Sequence, residues 1–240
     1  MKKEKILGVN VCVTNYDDLK KSVNNDIKNN KKSFVVAINP EKIMKSRKDN
    51  ELKNLLNIAT YQIPDGIGVV YASKMRGGNI TSRITGIDSM NMLCSLANEE
   101  KYRIFLYGAK EEVVSKASKI LKEKYPNMEV AGYISGYERD IDKIIKKINS
   151  AKPNILFVAL GSPKQENFIT NNINALDCNI FQGVGGSFDV ISGNVKRAPM
   201  WMQKCGLEWL YRLIKEPKRI FRQLKLFGFI FVALFERREK

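Results

Sequence analysis

Histidine is absent from all 240 residues, which removes the commonest general base near neutral pH and the commonest metal ligand. Acid–base chemistry in this chain therefore falls to carboxylates or another group. Cysteine is sparse: Cys12, Cys94, Cys178 and Cys205 are scattered, with no close pair at zinc-ligand or redox spacing. No signal peptide precedes the first strand-like segment, so a reducing cytosol is the expected compartment. No Gly-Lys-Ser or Gly-Lys-Thr triplet follows an earlier glycine at the distance a Walker-type phosphate loop needs. No apolar run reaches the ~20 residues of a bilayer-spanning helix. Internal repeats and low-complexity linkers are also missing. Acidic residues are outnumbered, 25 against 41 basic ones, for a formal net charge of +16. Such a surface attracts polyanions, which leaves nucleic acid, anionic lipid headgroups and phosphorylated substrates all open.

What is present has the pattern of a layered α/β domain. Residues 33–38, 103–107, 154–160 and 179–184 read as strands, and 111–125 and 141–151 as amphipathic helices that cover a sheet. Strand, helix and strand in succession require crossovers, so the sheet is expected to be mostly parallel. Several strands run straight into glycine, at Gly108, Gly161 and the cluster Gly183, Gly185, Gly186. Open α/β sheets bind ligands at those carboxyl ends. The predicted organisation is an α/β domain over 1–194 and a basic, aromatic, helical appendage over 195–240.

Four polar clusters could carry chemistry. Pro64-Asp65-Gly66 lies between a strand-like stretch and a helix-like one at 67–75, a turn that would hold a carboxylate at a helix start; on this segment alone a plain helix cap is the better reading. Arg83, Thr85, Gly86 and Asp88 precede a second helix at 89–97, where Arg83 could clamp a phosphate or pair with Asp88. Gly161-Ser162-Pro163-Lys164-Gln165-Glu166 sits at a strand end and a first helical turn, whose amides can meet an anion. Gly183, Gly185, Gly186, Ser187 and Asp189 fall short of a dinucleotide fingerprint, because its last glycine would fall on Phe188. Asp140-Ile141-Asp142 opens a helix and reads as a cap, so no metal and no cofactor are expected.

Taken in order, Pro64-Asp65-Gly66, Arg83-x-Thr85-Gly86, the 161–166 string, Gly183-Val184-Gly185-Gly186-Ser187-Phe188-Asp189 and Lys196-Arg197-Ala198-Pro199 strongly resemble the WecG/TagA/CpsF glycosyltransferase family. The string 206–213, followed by Glu216-Pro217, resembles it too. The resemblance covers nearly the whole chain. It implies a Rossmann-like fold and inverting, metal-independent transfer from a UDP-sugar to a polyprenyl-diphosphate-linked sugar on the cytoplasmic membrane face. In the teichoic acid branch, which this sequence looks most like, N-acetylmannosamine joins GlcNAc-diphospho-undecaprenol. Other donors within the family, such as UDP-ManNAc uronic acid or UDP-glucose, are the alternative. Carried onto this chain, Asp65 matches the catalytic base, Arg83 and Gln165 match donor or acceptor contacts, and Asn39 sits beside the pocket. Gly185 and Gly186 would let the backbone reach the nucleotide. Arg212, Arg219 and Arg222 match tail arginines that grip the lipid diphosphate. Ala37 departs from the family, which commonly has threonine two places before the asparagine.

The appendage interleaves its cations with Trp201, Trp209, Tyr211, Phe221 and Phe227, then turns apolar over 226–235. That composition suits a helix lying in an anionic membrane surface, or one packed on the core or between subunits. A nucleic-acid-binding protein is the rival from another class. It leaves the polar and glycine clusters at successive strand ends without a purpose, so no nucleic acid partner is expected.

Overall fold

The computed structural model describes residues 1–215 and 228–233, without the side chains of Lys204 and Arg212. A two-stranded antiparallel hairpin, β1 (Lys3–Ile6) and β2 (Val9–Cys12), opens the chain and turns through Leu7 and Gly8, both at positive φ. The main sheet contains β3 (Ser33–Ile38), β4 (Tyr61–Pro64), β5 (Arg103–Gly108), β6 (Glu129–Ile134), β7 (Ile155–Ala159) and β8 (Ile180–Gly183). Their order is β4-β3-β8-β7-β5-β6 and every neighbouring pair is parallel.

Burial on both faces explains why these strands read as unbroken apolar runs. In β3, Phe34, Val36 and Ile38 enter one core, while Val35 and Ala37 enter the other. The first face is covered by α2 (Pro40–Ser46), α3 (Asn50–Ile58), α7 (Ile141–Ala151) and α8 (Lys164–Asn172), through Ile43, Leu52, Leu56, Ile144, Ile148, Phe168 and Ile169. The opposite face carries α1 (Tyr16–Lys28), α5 (Gly86–Glu100) and α6 (Glu111–Lys124), with Leu19, Val23, Met90, Leu93, Val114 and Leu121 inward. Polar residues on the outer sides of α1, α6 and α7 complete the amphipathic pattern. Strands and helices expected from the sequence at 33–38, 67–75 and 141–151 occupy those same spans, and the others shift by a few residues at their ends.

The edge strand β6 was not foreseen. Its register slips between Ile104↔Val130 and Phe105↔Gly132, so Ala131 is an extra residue in the strand. Gly132 is the reason Phe105 fits: a Cβ there would stand 2.7 Å from the ring.

Between β4 and α5 lies α4 (Ile67–Met75), and beyond β8 come α9 (Ser187–Ile191), α10 (Met200–Lys204) and α11 (Glu208–Lys215). Residues 228–233 are helical and return to the first core, where Phe229 and Ala233 are buried. The Arg76 guanidinium donates to the Ala233 carbonyl at 3.3 Å. The described part of the apolar run, 228–233, therefore has a face packed on the core, while Phe231 is 64% exposed. Among the described residues no helix is long and apolar enough to cross a membrane.

Candidate active site

Because β4, β3, β8 and β7 are consecutive in the sheet, the loops leaving their carboxyl ends form one rim. Asn39 follows β3, Asp65 follows β4, Gly161 to Glu166 follow β7, and Gly185 and Gly186 follow β8. Four segments up to 147 residues apart are thus brought side by side by strand order alone (Asn39 to Gly186, 186 − 39).

The Asp65 turn is braced from both sides. Its N–H donates to the Ile38 carbonyl at 2.8 Å, and the Ile84 N–H donates to the Pro64 carbonyl at 2.8 Å. Gly66, at φ 96°, then starts α4 without a side-chain cap. The same holds for α8, which starts after Pro163 with no side-chain cap, whereas Asn39 caps α2 and Thr85 caps α5. Uncapped first-turn amides favour an anion or a hydroxyl-bearing ligand. Gly161 (φ 76°) and Gly185 (φ 52°) have no atom within 4 Å of where a Cβ would stand, so a ligand can approach both backbones closely.

On one side of Asp65 lies a charged lattice that ties residues 197–208 to the domain. Arg197 grips Asp88 with two hydrogen bonds, at 2.6 and 3.1 Å, and Thr85 Oγ1 donates to the same carboxylate at 2.6 Å. Burial alone would raise the Asp88 carboxyl, but Arg197, Thr85 and Arg83 outweigh it and hold it below its ordinary value. Arg83 pairs with Glu208 at 3.1 Å and donates to the Gln203 carbonyl at 3.2 Å; Arg197 stands 3.7 Å from Glu208. The pairing of Arg83 with Asp88 that the sequence allowed is thus replaced by Glu208, with Asp88 taken by Arg197. The Tyr16 hydroxyl accepts the Thr85 N–H at 3.1 Å. Burial pushes that hydroxyl up, and the carboxylates of Asp88 and Asp65 add to the shift.

On the other side lies a buried network. Lys42, whose N–H is held by Asn39 Oδ1 at 2.9 Å, donates its ammonium to Glu166 Oε1 at 2.8 Å. Gln165 donates to the same oxygen at 3.2 Å and accepts the Gly185 N–H at 3.0 Å. Gln165 is only 2% exposed, so its amide is spent within the protein and reaches the rim through Gly185. Burial works against the charge of Glu166, but Lys42 and Gln165 hold its carboxyl below the usual range.

Asn39, Asp65, Arg83, Gln165, Gly185 and Gly186 are therefore gathered at one end of the sheet. Arg219 and Arg222 lie outside the described residues, as does the Arg212 side chain. Sequence reasoning gave no role to Tyr16, Lys42, Glu166, Arg197 or Glu208. Glu166 and Arg197 stand inside recognised motifs, whereas Tyr16 and Lys42 carry no local signal. Asp140 caps α7 by accepting the Lys143 N–H at 3.0 Å, as expected. Among the described residues no group of three or more His, Cys, Asp or Glu is placed to hold a metal ion.

The chain matches the glycosyl transferase WecG/TagA/CpsF family over residues 4–240. It is 42% identical over 208 residues to the N-acetylglucosaminyldiphosphoundecaprenol N-acetyl-beta-D-mannosaminyltransferase of Bacillus subtilis (strain 168), covering 87% of this chain and 81% of that protein. A protein of the same name from Staphylococcus aureus (strain MW2) is 36% identical over 189 residues, 79% of this chain and 74% of its own. A family match over residues 4–240, in a chain whose strand order brings the Asp65 turn, Gly161 and Gly185 to one end of the sheet, leads to one assignment: this chain belongs to the WecG/TagA/CpsF family of glycosyltransferases.

Proposed function

We propose that this enzyme transfers N-acetylmannosamine from UDP-ManNAc to the GlcNAc of GlcNAc-diphospho-undecaprenol, with inversion, in building the linkage unit of a wall teichoic acid. The observation that supports the reading is the position of Asp65 in a turn whose backbone is bonded to Ile38 and Ile84, at the same sheet end as Gly161 and Gly185, whose backbones are open to a ligand. The relatives named for this reaction, matched over most of both chains, support the choice of sugar and acceptor.

In this reading Asp65 accepts the proton of the acceptor hydroxyl as its oxygen bonds to the anomeric carbon. The bond from that carbon to the diphosphate breaks on the opposite face, and UDP leaves with the bonding pair. Charge on the departing diphosphate is met by helix-start amides and by cations of the chain, without a divalent ion. Arg83 is one such cation, already oriented by Glu208 and the Gln203 carbonyl. The basic appendage, with Arg212, Arg219 and Arg222, holds the lipid diphosphate and rests on the anionic inner surface of the cell membrane.

General-base assistance is worth roughly 100- to 10,000-fold in rate. Asp65→Asn is expected to lower kcat by that order while leaving UDP affinity and thermal stability near those of the parent. A panel of UDP-sugars offered with a short-chain GlcNAc-diphospho-lipid, read by mass spectrometry with and without EDTA, tests donor, acceptor and metal independence together. Full turnover by Asp65→Asn removes that side chain from the chemistry; loss of turnover on chelation removes the metal-free mechanism.

A further inference from the structure

From the geometry we infer that the buried Lys42–Glu166 ion pair is a positioning device that sets which way the Gln165 amide points, and through it places the Gly185 backbone at the rim. The inference rests on the reading of that rim as a sugar-transfer site. Glu166 is fully buried, an uncommon place for a carboxylate, and one of its oxygens, Oε2, has no hydrogen-bond partner. A buried charge left partly unsatisfied is a cost to the fold and calls for a compensating use.

The use is visible in the donors and acceptors. An amide side chain has an accepting end and a donating end, and either can be turned to a given neighbour. Gln165 lies between two groups that allow one orientation only. Glu166 Oε1, an ionised carboxylate oxygen, can only accept, and it takes the Gln165 Nε2 hydrogen at 3.2 Å. The Gly185 N–H can only donate, and it meets Gln165 Oε1 at 3.0 Å. Reversing the amide would set two acceptors face to face and two donors face to face. Lys42, 12% exposed, keeps Glu166 ionised and therefore acceptor-only. The Lys42 backbone is in turn held by Asn39, so the loops after β3, β7 and β8 are joined through one chain of hydrogen bonds. Gly183 leaves room for it, because a Cβ there would stand 2.5 Å from Gln165 Nε2.

Two variants separate this role from simple stabilisation. Glu166→Gln keeps the shape but can donate as well as accept, so the Gln165 amide loses one of the two groups that direct it and is held by the Gly185 N–H alone. Lys42→Met combined with Glu166→Leu removes both charges, a change that buried ion pairs commonly tolerate in stability. For both, amide hydrogen exchange at Gly185, measured by NMR, is expected to speed up. In the transfer assay kcat/KM is expected to fall about 10- to 100-fold, the usual effect of a small misplacement, with donor KM raised more than kcat is lowered. A pair that merely stabilises the fold would show restored kcat/KM in the double variant whenever its melting temperature is restored. Unchanged Gly185 exchange in a folded variant overturns the inference whatever the activity. Should the double variant not fold, Glu166→Gln decides on the same two readings. If the parent protein transfers no sugar, the functional reading fails, while faster Gly185 exchange in the variants still sustains the device.

Discussion

At the scale of single residues, the site depends on atoms that are missing as much as on those present. Gly183 lies in the buried strand β8 against the Gln165 amide, so Gly183→Ala forces that amide to move. Overpacking of this kind costs about 1–3 kcal/mol. The expected outcome is a lowered melting temperature together with a fall in kcat/KM, measured by calorimetry and by the transfer assay. The cysteines divide in a similar way. Cys12, Cys94 and Cys178 are buried and Cys205 is exposed. Burial raises the thiols of all three, those of Cys94 and Cys178 to about 12. A thiol reagent added to the native protein should modify Cys205 alone, and rapid labelling of a second thiol, located by peptide mapping, would contradict that burial.

At the scale of elements, the contact between residues 197–208 and the start of α5 is an electrostatic clasp. The Asp88 carboxyl is lowered in the folded protein. Its contribution to stability is therefore complete above the unfolded carboxyl value of ~3.9 and is lost as pH falls through the folded value. Limited proteolysis within 197–208 is expected to accelerate on acidification below about pH 4 in the parent. Asp88→Asn should show fast cleavage already near neutrality and a weaker acid dependence; an identical pH profile in the variant would rule out Asp88 as the acid-sensitive group. Elements of this size also mark what the sequence could reveal. β3, α4 and α7 were legible because continuous apolar runs, a turn motif and a capping aspartate are local signals. β6 was not, since Gly132 and the extra residue Ala131 interrupt its pattern; β4 was legible only as a strand-like stretch before Pro64, because it is short and carries the buried Gln62, whose amide donates to the carbonyls of Leu56 and Ala59. Within the site, Asp65 and Gln165 were found through motifs. Glu208 as the partner of Arg83 was not, because 125 residues separate them and only the folded sheet brings them together.

At the scale of the whole molecule, residues 228–233 contribute to the core as well as to the surface. Phe229 is fully buried against the first core and Phe231 is mostly exposed on the same helical segment. Phe229→Ala is expected to cost about 3–5 kcal/mol of stability, as large-to-small core changes do. Phe231→Ala should cost far less and instead weaken sedimentation with anionic liposomes. Equal liposome binding by parent and Phe231→Ala would rule that ring out of the proposed membrane association. One feature far from the rim bears on how this protein behaves in concentrated solution. Among the described residues nothing pairs with the outer side of β6, and an open strand edge is a template on which a second copy could continue the sheet. The slip at Ala131 breaks the regular spacing of backbone donors and acceptors that such a visitor would have to match. An edge so interrupted is a poor template for a second copy, and deleting Ala131, which would even the register, is expected to promote self-association, read by light scattering at high protein concentration.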